Sequence, residues 1–152
     1  MNFLTYILIA AALASCCQSI DVKFKDCGSQ VGVVSSVSVE PCSAQPCKLP
    51  KGKNYTIGVT FTSAETTSLL HSKVYGTVLG LKVPFSLPQA DGCTDSGITC
   101  PVQKGKQYTY TSTLPLSQSY PNVKVLVEWD LMDHESAGNK LFCTEFLIFL
   151  VD

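Results

Sequence analysis

Residues 123–131 read VKVLVEWDL and carry the clearest periodicity in the chain. Their apolar side chains recur at every second position, at Val123, Val125, Val127, Trp129 and Leu131. A helix would repeat its apolar side chains about every 3.6 residues, whereas a strand with one buried face repeats them every second residue. The stretch therefore predicts a β-strand whose odd-numbered side chains face a core.

The same two-residue period recurs along most of the chain after residue 20, and no long amphipathic helix is apparent. Turn-forming clusters such as PQADGC and SQSYPN separate the runs. Seven or eight short strands at this spacing predict an all-β fold, an antiparallel β-sandwich of immunoglobulin-like type. The last strand is apolar on both parities from Phe146 onward, so we expect it to be buried on both faces or covered. The remaining runs are Val31, Val33, Val37 and Val39; Tyr55, Ile57, Val59 and Phe61; Tyr108 and Tyr110; and LFCTEFLIFLVD at 141–152.

The first nineteen residues predict a secretory signal peptide. An apolar stretch from Leu4 to Ala14 precedes small residues, with cleavage expected after Ser19. One departure from the signal-peptide pattern is that no Lys or Arg precedes the apolar run. The alternative, a bacterial lipoprotein box at residues 13–16, requires a basic leader as well and is disfavoured. Residues 20–152 then form one domain, and no second apolar run is long enough to anchor it in a membrane.

Six cysteines follow the predicted cleavage site, and export to an oxidising compartment favours disulfides over a zinc site. Six cysteines allow 15 pairings. Two short loops rich in turn formers narrow the choice, because each can bring its own ends within disulfide reach. The predicted pairs are Cys42 with Cys47, Cys93 with Cys100, and by remainder Cys27 with Cys143.

Composition argues against nucleic-acid binding, and the motifs give no support for an enzyme. A net charge of -1 and 15% charged residues are not typical of nucleic-acid binding, which relies on clustered cationic side chains. Among catalytic motifs, no G-x-S-x-G, H-E-x-x-H or phosphate loop occurs, so no enzyme, metal or cofactor is predicted. The two histidines, His71 and His134, are expected at the start of a strand and in a solvated hairpin turn.

Three bulky side chains stand next to prolines where strands end or run along an edge. They are Phe85 after Pro84, Leu116 after Pro115, and Tyr120 before Pro121. Proline cannot donate to a β-ladder and belongs at sheet edges or strand ends. Ordinary loop packing accounts for such residues; alternatively, they rim an apolar cavity between two sheets that are held apart.

One glycosylation acceptor occurs, Asn54-Tyr55-Thr56. Asn54 has the parity opposite to Tyr55 and Ile57, so a glycan there would project to solvent while the aromatic face stays inside.

From end to end, the chain after residue 20 resembles the ML lipid-recognition domain family, and within it the soluble Niemann-Pick type C branch. The resemblance rests on the six cysteines together with a series of short motifs, each weak alone and specific in combination. These are FKDCGS at 24–29, QPC at 45–47, VTFTS at 59–63, VPF at 83–85, DGC at 91–93, GITCP at 97–101, LP at 114–115, YP at 120–121, VEW at 127–129 and LFC at 141–143.

The resemblance implies two sheets that part to enclose cholesterol or a related sterol, in a monomeric carrier that acts without covalent chemistry. Phe85, Leu116 and Tyr120 would contact the sterol, and Tyr55 and Trp129 would help to line the pocket. The implied partners are a membrane sterol transporter of the Niemann-Pick type C pathway and, transiently, lipid bilayers. The implied location is the secreted fluid and the lysosome lumen, reached through a mannose-phosphorylated glycan on Asn54.

Three departures from the family pattern affect these expectations. Leu116 stands where a valine is usual, the loop from Cys93 to Cys100 is one residue longer, and the glycan acceptor lies four residues earlier. The larger Leu116 leaves ligand identity open, so a fatty acid, a phospholipid or a small hydrophobic signal is an alternative ligand. A solid-cored extracellular interaction module is the alternative of another class.

Overall fold

The computed structural model describes residues 18–152, so most of the predicted signal peptide of residues 1–19 lies outside the described part. The described residues form ten strands and no helix. The strands are β1 (Ile20–Val22), β2 (Lys25–Asp26), β3 (Gly32–Glu40), β4 (Cys47–Pro50), β5 (Lys53–Ser63), β6 (His71–Val78), β7 (Leu81–Phe85), β8 (Gln107–Leu116), β9 (Val123–Met132) and β10 (Lys140–Val151). Across residues 18–152, therefore, no helix is available that could cross a membrane.

The strands form two sheets, as the predicted sandwich requires. One has the order β1-β3-β5-β8, and the other has the order β2-β10-β9-β6-β7. Two details differ from the prediction. The described chain has ten strands because three short ones, of two to four residues, add to the seven longer ones. In addition, β4 pairs with β10 in parallel, within an otherwise antiparallel arrangement.

The core lies between the facing surfaces of β5, β8, β9 and β10, and the two-residue period identifies its members. On β9, Val125, Val127, Trp129 and Leu131 are buried, as the sequence predicts. The predicted inward set of β5 is buried as well: Tyr55, Ile57, Val59 and Phe61.

Strand β3 departs from the predicted parity. A bulge between Val34 and Ser36 shifts the register with β5. Because an extra residue reverses which side chains point inward, Val34 packs against the core and Val33 is 68% exposed. The prediction that Val33 shares a buried face with Val37 and Val39 was wrong.

The carboxyl-terminal strand is only partly covered on its outer face. Phe146, Ile148 and Leu150 are buried against the core, but Leu147 on the opposite face is 43% exposed. The expectation that β10 is hidden on both sides therefore fails at Leu147.

The three disulfides confirm the predicted pairing. Cys42–Cys47 and Cys93–Cys100 close loops with separations of 5 and 7 residues. Cys27–Cys143 links residues 116 positions apart and ties the segment after β2 to β10.

Candidate functional site

A cavity of about 280 Å³ opens between the two sheets at one end of the sandwich. Its walls come from β6 and β7 on one side, the end of β8 on another, and β9 and β10 behind. The lining is almost entirely apolar. It includes Val83, Phe85, Leu114, Leu116, Tyr120 and Ile148.

The opening lies where an edge strand of each sheet comes to the surface. β7 is the last strand of its sheet and β8 the last strand of the other. Each carries a proline near its end, Pro84 in β7 and Pro115 in β8. Since proline lacks the N–H that a new ladder would need, these prolines hinder further pairing along the two edges. Among the described strands, β7 and β8 do not pair with each other beside the cavity.

The two aromatic residues singled out in the sequence meet at this opening. The rings of Phe85 and Tyr120 lie 6.5 Å apart, edge to face. Leu116, which is buried, lines the same cavity from β8. The structure thus brings Phe85 of β7 together with Leu116 at the end of β8 and Tyr120 in the loop that follows it.

The hairpin that joins β6 to β7 carries apolar side chains that the fold leaves in solvent. Leu79 is 90% exposed and Leu81 is 71% exposed, and Val83, which lines the cavity, is also exposed. Leu79 and Gly80 form the two-residue turn, both with positive φ, as a tight hairpin of this length requires. An apolar surface therefore leads from the hairpin tip to the cavity.

A polar network holds the loop that carries Tyr120. Lys51 Nζ donates to the Tyr120 carbonyl at 2.9 Å and pairs with Asp152 Oδ1 at 3.0 Å. Asn122 Nδ2 donates to the other Asp152 oxygen at 2.9 Å. The Asn122 hydrogen bond, followed by Lys51, lowers the pKa of Asp152. The loop between β8 and β9 is thereby fastened to the end of β10.

Tyr55 and Trp129, the other two predicted pocket residues, lie deeper in the sandwich and do not line the cavity as it stands. Tyr55 donates its hydroxyl to the Pro50 carbonyl at 2.6 Å. Trp129 Nε1 donates to Ser72 Oγ at 2.7 Å, and the Tyr110 hydroxyl donates to the same oxygen at 2.9 Å. The buried polar atoms of these aromatic residues are therefore satisfied by protein partners.

The lining of the cavity is uncharged over the residues that the structure describes. His71 begins β6, and His134 lies exposed in the β9–β10 hairpin, as the sequence predicts. A concave apolar site with a tyrosine at its mouth is suited to binding a water-insoluble molecule.

Sequence reasoning missed several residues of the cavity wall, among them Val74, Val125 and Leu150. The two-residue period places Val125 on the core side of β9, but periodicity does not distinguish a packed core position from a cavity wall. Asn54 is exposed on β5, while Tyr55 beside it is buried. This matches the orientation expected for a glycan acceptor.

Comparisons with known proteins agree with this architecture. The family model described as ML domain matches residues 21–150. The chain is similar to "NPC intracellular cholesterol transporter 2" of Bos taurus, with 45% identity covering 97% of each chain. The protein of the same name from Canis lupus familiaris is 50% identical, covering 82% of this chain and 81% of its own.

A solved structure gives the same fold. The crystal structure of a Niemann-Pick type C2 protein from Japanese carpenter ant superposes with a TM-score of 0.76 and 25% identity, covering 85% of this chain and 99% of the ant chain. Sequence, architecture and the disulfide pattern lead to one assignment: the chain belongs to the ML domain family.

Proposed function

We propose that this protein is a carrier that binds one molecule of cholesterol or a related sterol between its two sheets. The observation that carries the proposal is the uncharged cavity that opens between two proline-bearing edge strands. The relatives called cholesterol transporter support a sterol as the ligand. Each CH₂ unit of the ligand that is buried contributes about 0.8 kcal/mol to the binding free energy. An apolar wall therefore supplies enough driving force for sterol binding without a charged partner.

The cavity has to enlarge to enclose a whole sterol. Its volume of about 280 Å³ lies near the lower end of the roughly 300–1,000 Å³ that is typical of ligand sites. Phe85, Leu116 and Tyr120 form the mouth and wall in this proposal. Tyr55 and Trp129 become the inner lining once a ligand separates the sheets.

The apolar hairpin beside the mouth supports exchange with lipid bilayers or with a membrane sterol transporter of the Niemann-Pick type C pathway. Leu79, Leu81 and Val83 are exposed close together along the chain, and exposed apolar patches mark contact surfaces. The protein acts as a monomer and delivers its ligand without covalent chemistry.

The proposed location is the secreted fluid and the lysosome lumen. It rests on the apolar leader of residues 1–19, on three disulfides that require an oxidising compartment, and on the exposed acceptor Asn54. A glycan on Asn54 carries the sorting signal in this proposal.

A fatty acid, a phospholipid or a small hydrophobic signal is the alternative ligand. Mass spectrometry of the lipid that co-purifies with the protein distinguishes these classes from a sterol. A solid-cored interaction module would carry no lipid, and the cavity between the sheets argues against that alternative.

The decisive test replaces the two aromatic residues at the mouth. We expect Phe85→Ala and Tyr120→Ser each to weaken binding of a fluorescent sterol by about tenfold to a hundredfold, because burying one large side chain against a ligand is worth about 1.5–3 kcal/mol. Leu147→Ala, on the outer face of β10, is the matched control and should bind as the native protein does. If both mouth variants fold and bind sterol with native affinity, the assigned mouth is wrong.

A further inference from the structure

A second groove lies at the edge of β10, away from the central cavity. β2 pairs with β10 at Thr144 and Glu145, and β4 pairs with it from Ile148 to Val151. Among residues 18–152, no strand pairs with this side of β10 at Phe146 and Leu147. The interruption is about 10 Å long at roughly 3.3 Å per residue. We call the groove at this interruption the β2–β4 notch.

The floor of the β2–β4 notch is apolar although it lies on the solvent side of the sheet. Leu126 of β9 and Leu147 of β10 are cross-strand neighbours there. In a one-sided antiparallel sheet, outward positions are normally polar. Phe24 and Pro46 add apolar surface from the segments on either side. The resulting space measures about 460 Å³, which is within the range of small-molecule sites.

The charged side chains around the notch give it a net positive lining. Lys23 and Lys25 stand at its rim with one acid, Glu145. Within the described range 18–152, neither lysine forms an ion pair, although three other lysines do. Two exposed cations beside an apolar floor are complementary to a molecule with an anionic head and an apolar tail.

A side-chain bridge holds the two walls of the notch together. Gln45 Oε1 accepts a hydrogen bond from the Lys23 backbone N–H at 2.7 Å, and Gln45 Nε2 donates to the Asp21 carbonyl at 3.1 Å. The Cys42–Cys47 disulfide closes the loop that carries Gln45. The wall that holds the lysines is thus fixed before any ligand arrives, which lowers the entropic cost of binding.

We propose that the β2–β4 notch is a second lipid site that binds a single-chain anionic amphiphile, a long-chain fatty acid carboxylate. The acyl chain lies on Leu126, Leu147 and Phe24, and the carboxylate lies by Lys23 and Lys25. The notch and the central cavity share no lining residue. Phe146 of β10 is buried on the core side of the sheet. It lines the notch, but it does not line the central cavity. Fatty acid and sterol can therefore be bound at the same time.

The first experiment uses the delipidated protein of residues 20–152, with the central cavity saturated by a sterol. A fluorescent sixteen-carbon fatty acid is titrated against it, and the neutral alcohol of the same chain is titrated in parallel. We expect one acid to bind per protein with the sterol still in place, and the alcohol to bind more weakly by about tenfold because it lacks the charge. Displacement of the acid by sterol, one for one, would overturn the proposal.

Two variants locate the site. Leu147→Asp puts a carboxylate on the apolar floor at an exposed position, and it should weaken acid binding about tenfold or more without changing sterol binding. Val33→Asp is the matched control, because Val33 is also an exposed apolar residue, lies on the other sheet and lines neither site. The double variant Lys23→Glu with Lys25→Glu should weaken binding of the fatty acid but leave binding of the alcohol unchanged. Native acid affinity in folded Leu147→Asp protein would refute the notch as the site.

Discussion

At the scale of single residues, Asp130 is the buried charge with the most consequence. It lies on β9 opposite Cys143, with its carboxylate Oδ2 3.1 Å from Lys140 Nζ. In the described structure, its other oxygen, Oδ1, has no hydrogen-bond partner. Burial raises the pKa of Asp130, aided by the negative charge of Glu128, and outweighs the opposing effect of Lys140. Keeping this group ionised therefore costs stability.

We predict that stability falls as pH rises from the unfolded-state pKa of 3.8 through the raised pKa of Asp130. In that window the folded state binds more protons than the unfolded state, so deprotonation favours unfolding. Urea unfolding at several pH values between 4 and 7 measures the trend. Asp130→Asn should lose less stability over this range than the native protein, whereas Asp21→Asn, at an exposed position, should follow the native curve. An unchanged slope in Asp130→Asn would contradict the assignment.

At the scale of elements, the edge strand β7 explains why an apolar strand contains a proline. Its partner is β6, and the hairpin has a two-residue turn. Counting from that turn, Leu81 and Val83 exchange hydrogen bonds with β6, whereas Lys82 and Pro84 face the open edge. Proline at residue 84 removes one of the two outward N–H groups. Losing that N–H makes the exposed apolar edge a poorer partner for pairing with another copy.

We predict that Pro84→Thr increases self-association along β7. Restoring the N–H allows one further hydrogen bond from each of two antiparallel edges, and at about 0.5–1.5 kcal/mol per bond the dimer should become about tenfold tighter. Sedimentation velocity over a concentration series measures this. Pro88→Thr, outside any strand, should sediment as the native protein does. If Pro84→Thr remains as monomeric as that control, the proline has no protective role at this edge.

At the scale of the whole molecule, what could be predicted from sequence is what depends on neighbours along the chain. The parity of Tyr55 to Phe61 and of Val125 to Leu131 follows from the pleat alone, and it correctly identified the core faces. The bulge that exposes Val33 depends on pairing with β5. The β2–β4 notch combines segments about 20 and 100 residues apart, so no local pattern predicts it. The residues of the cavity mouth could be predicted from the sequence only because each of the three bulky side chains stands next to a proline.

The long-range disulfide should contribute more to global stability than either short one. Cys27–Cys143 spans 116 residues, and in the chain-entropy relation a loop of that size stabilises by about 5 kcal/mol, against about 2 kcal/mol for a five-residue loop. Replacing both cysteines of the long bridge by alanine should therefore lower the free energy of unfolding by more than twice the loss from removing Cys42–Cys47. Denaturant unfolding of the two double variants compares them directly. Equal losses would show that the bridge between β2 and β10 stabilises through local contacts rather than by restricting the unfolded chain.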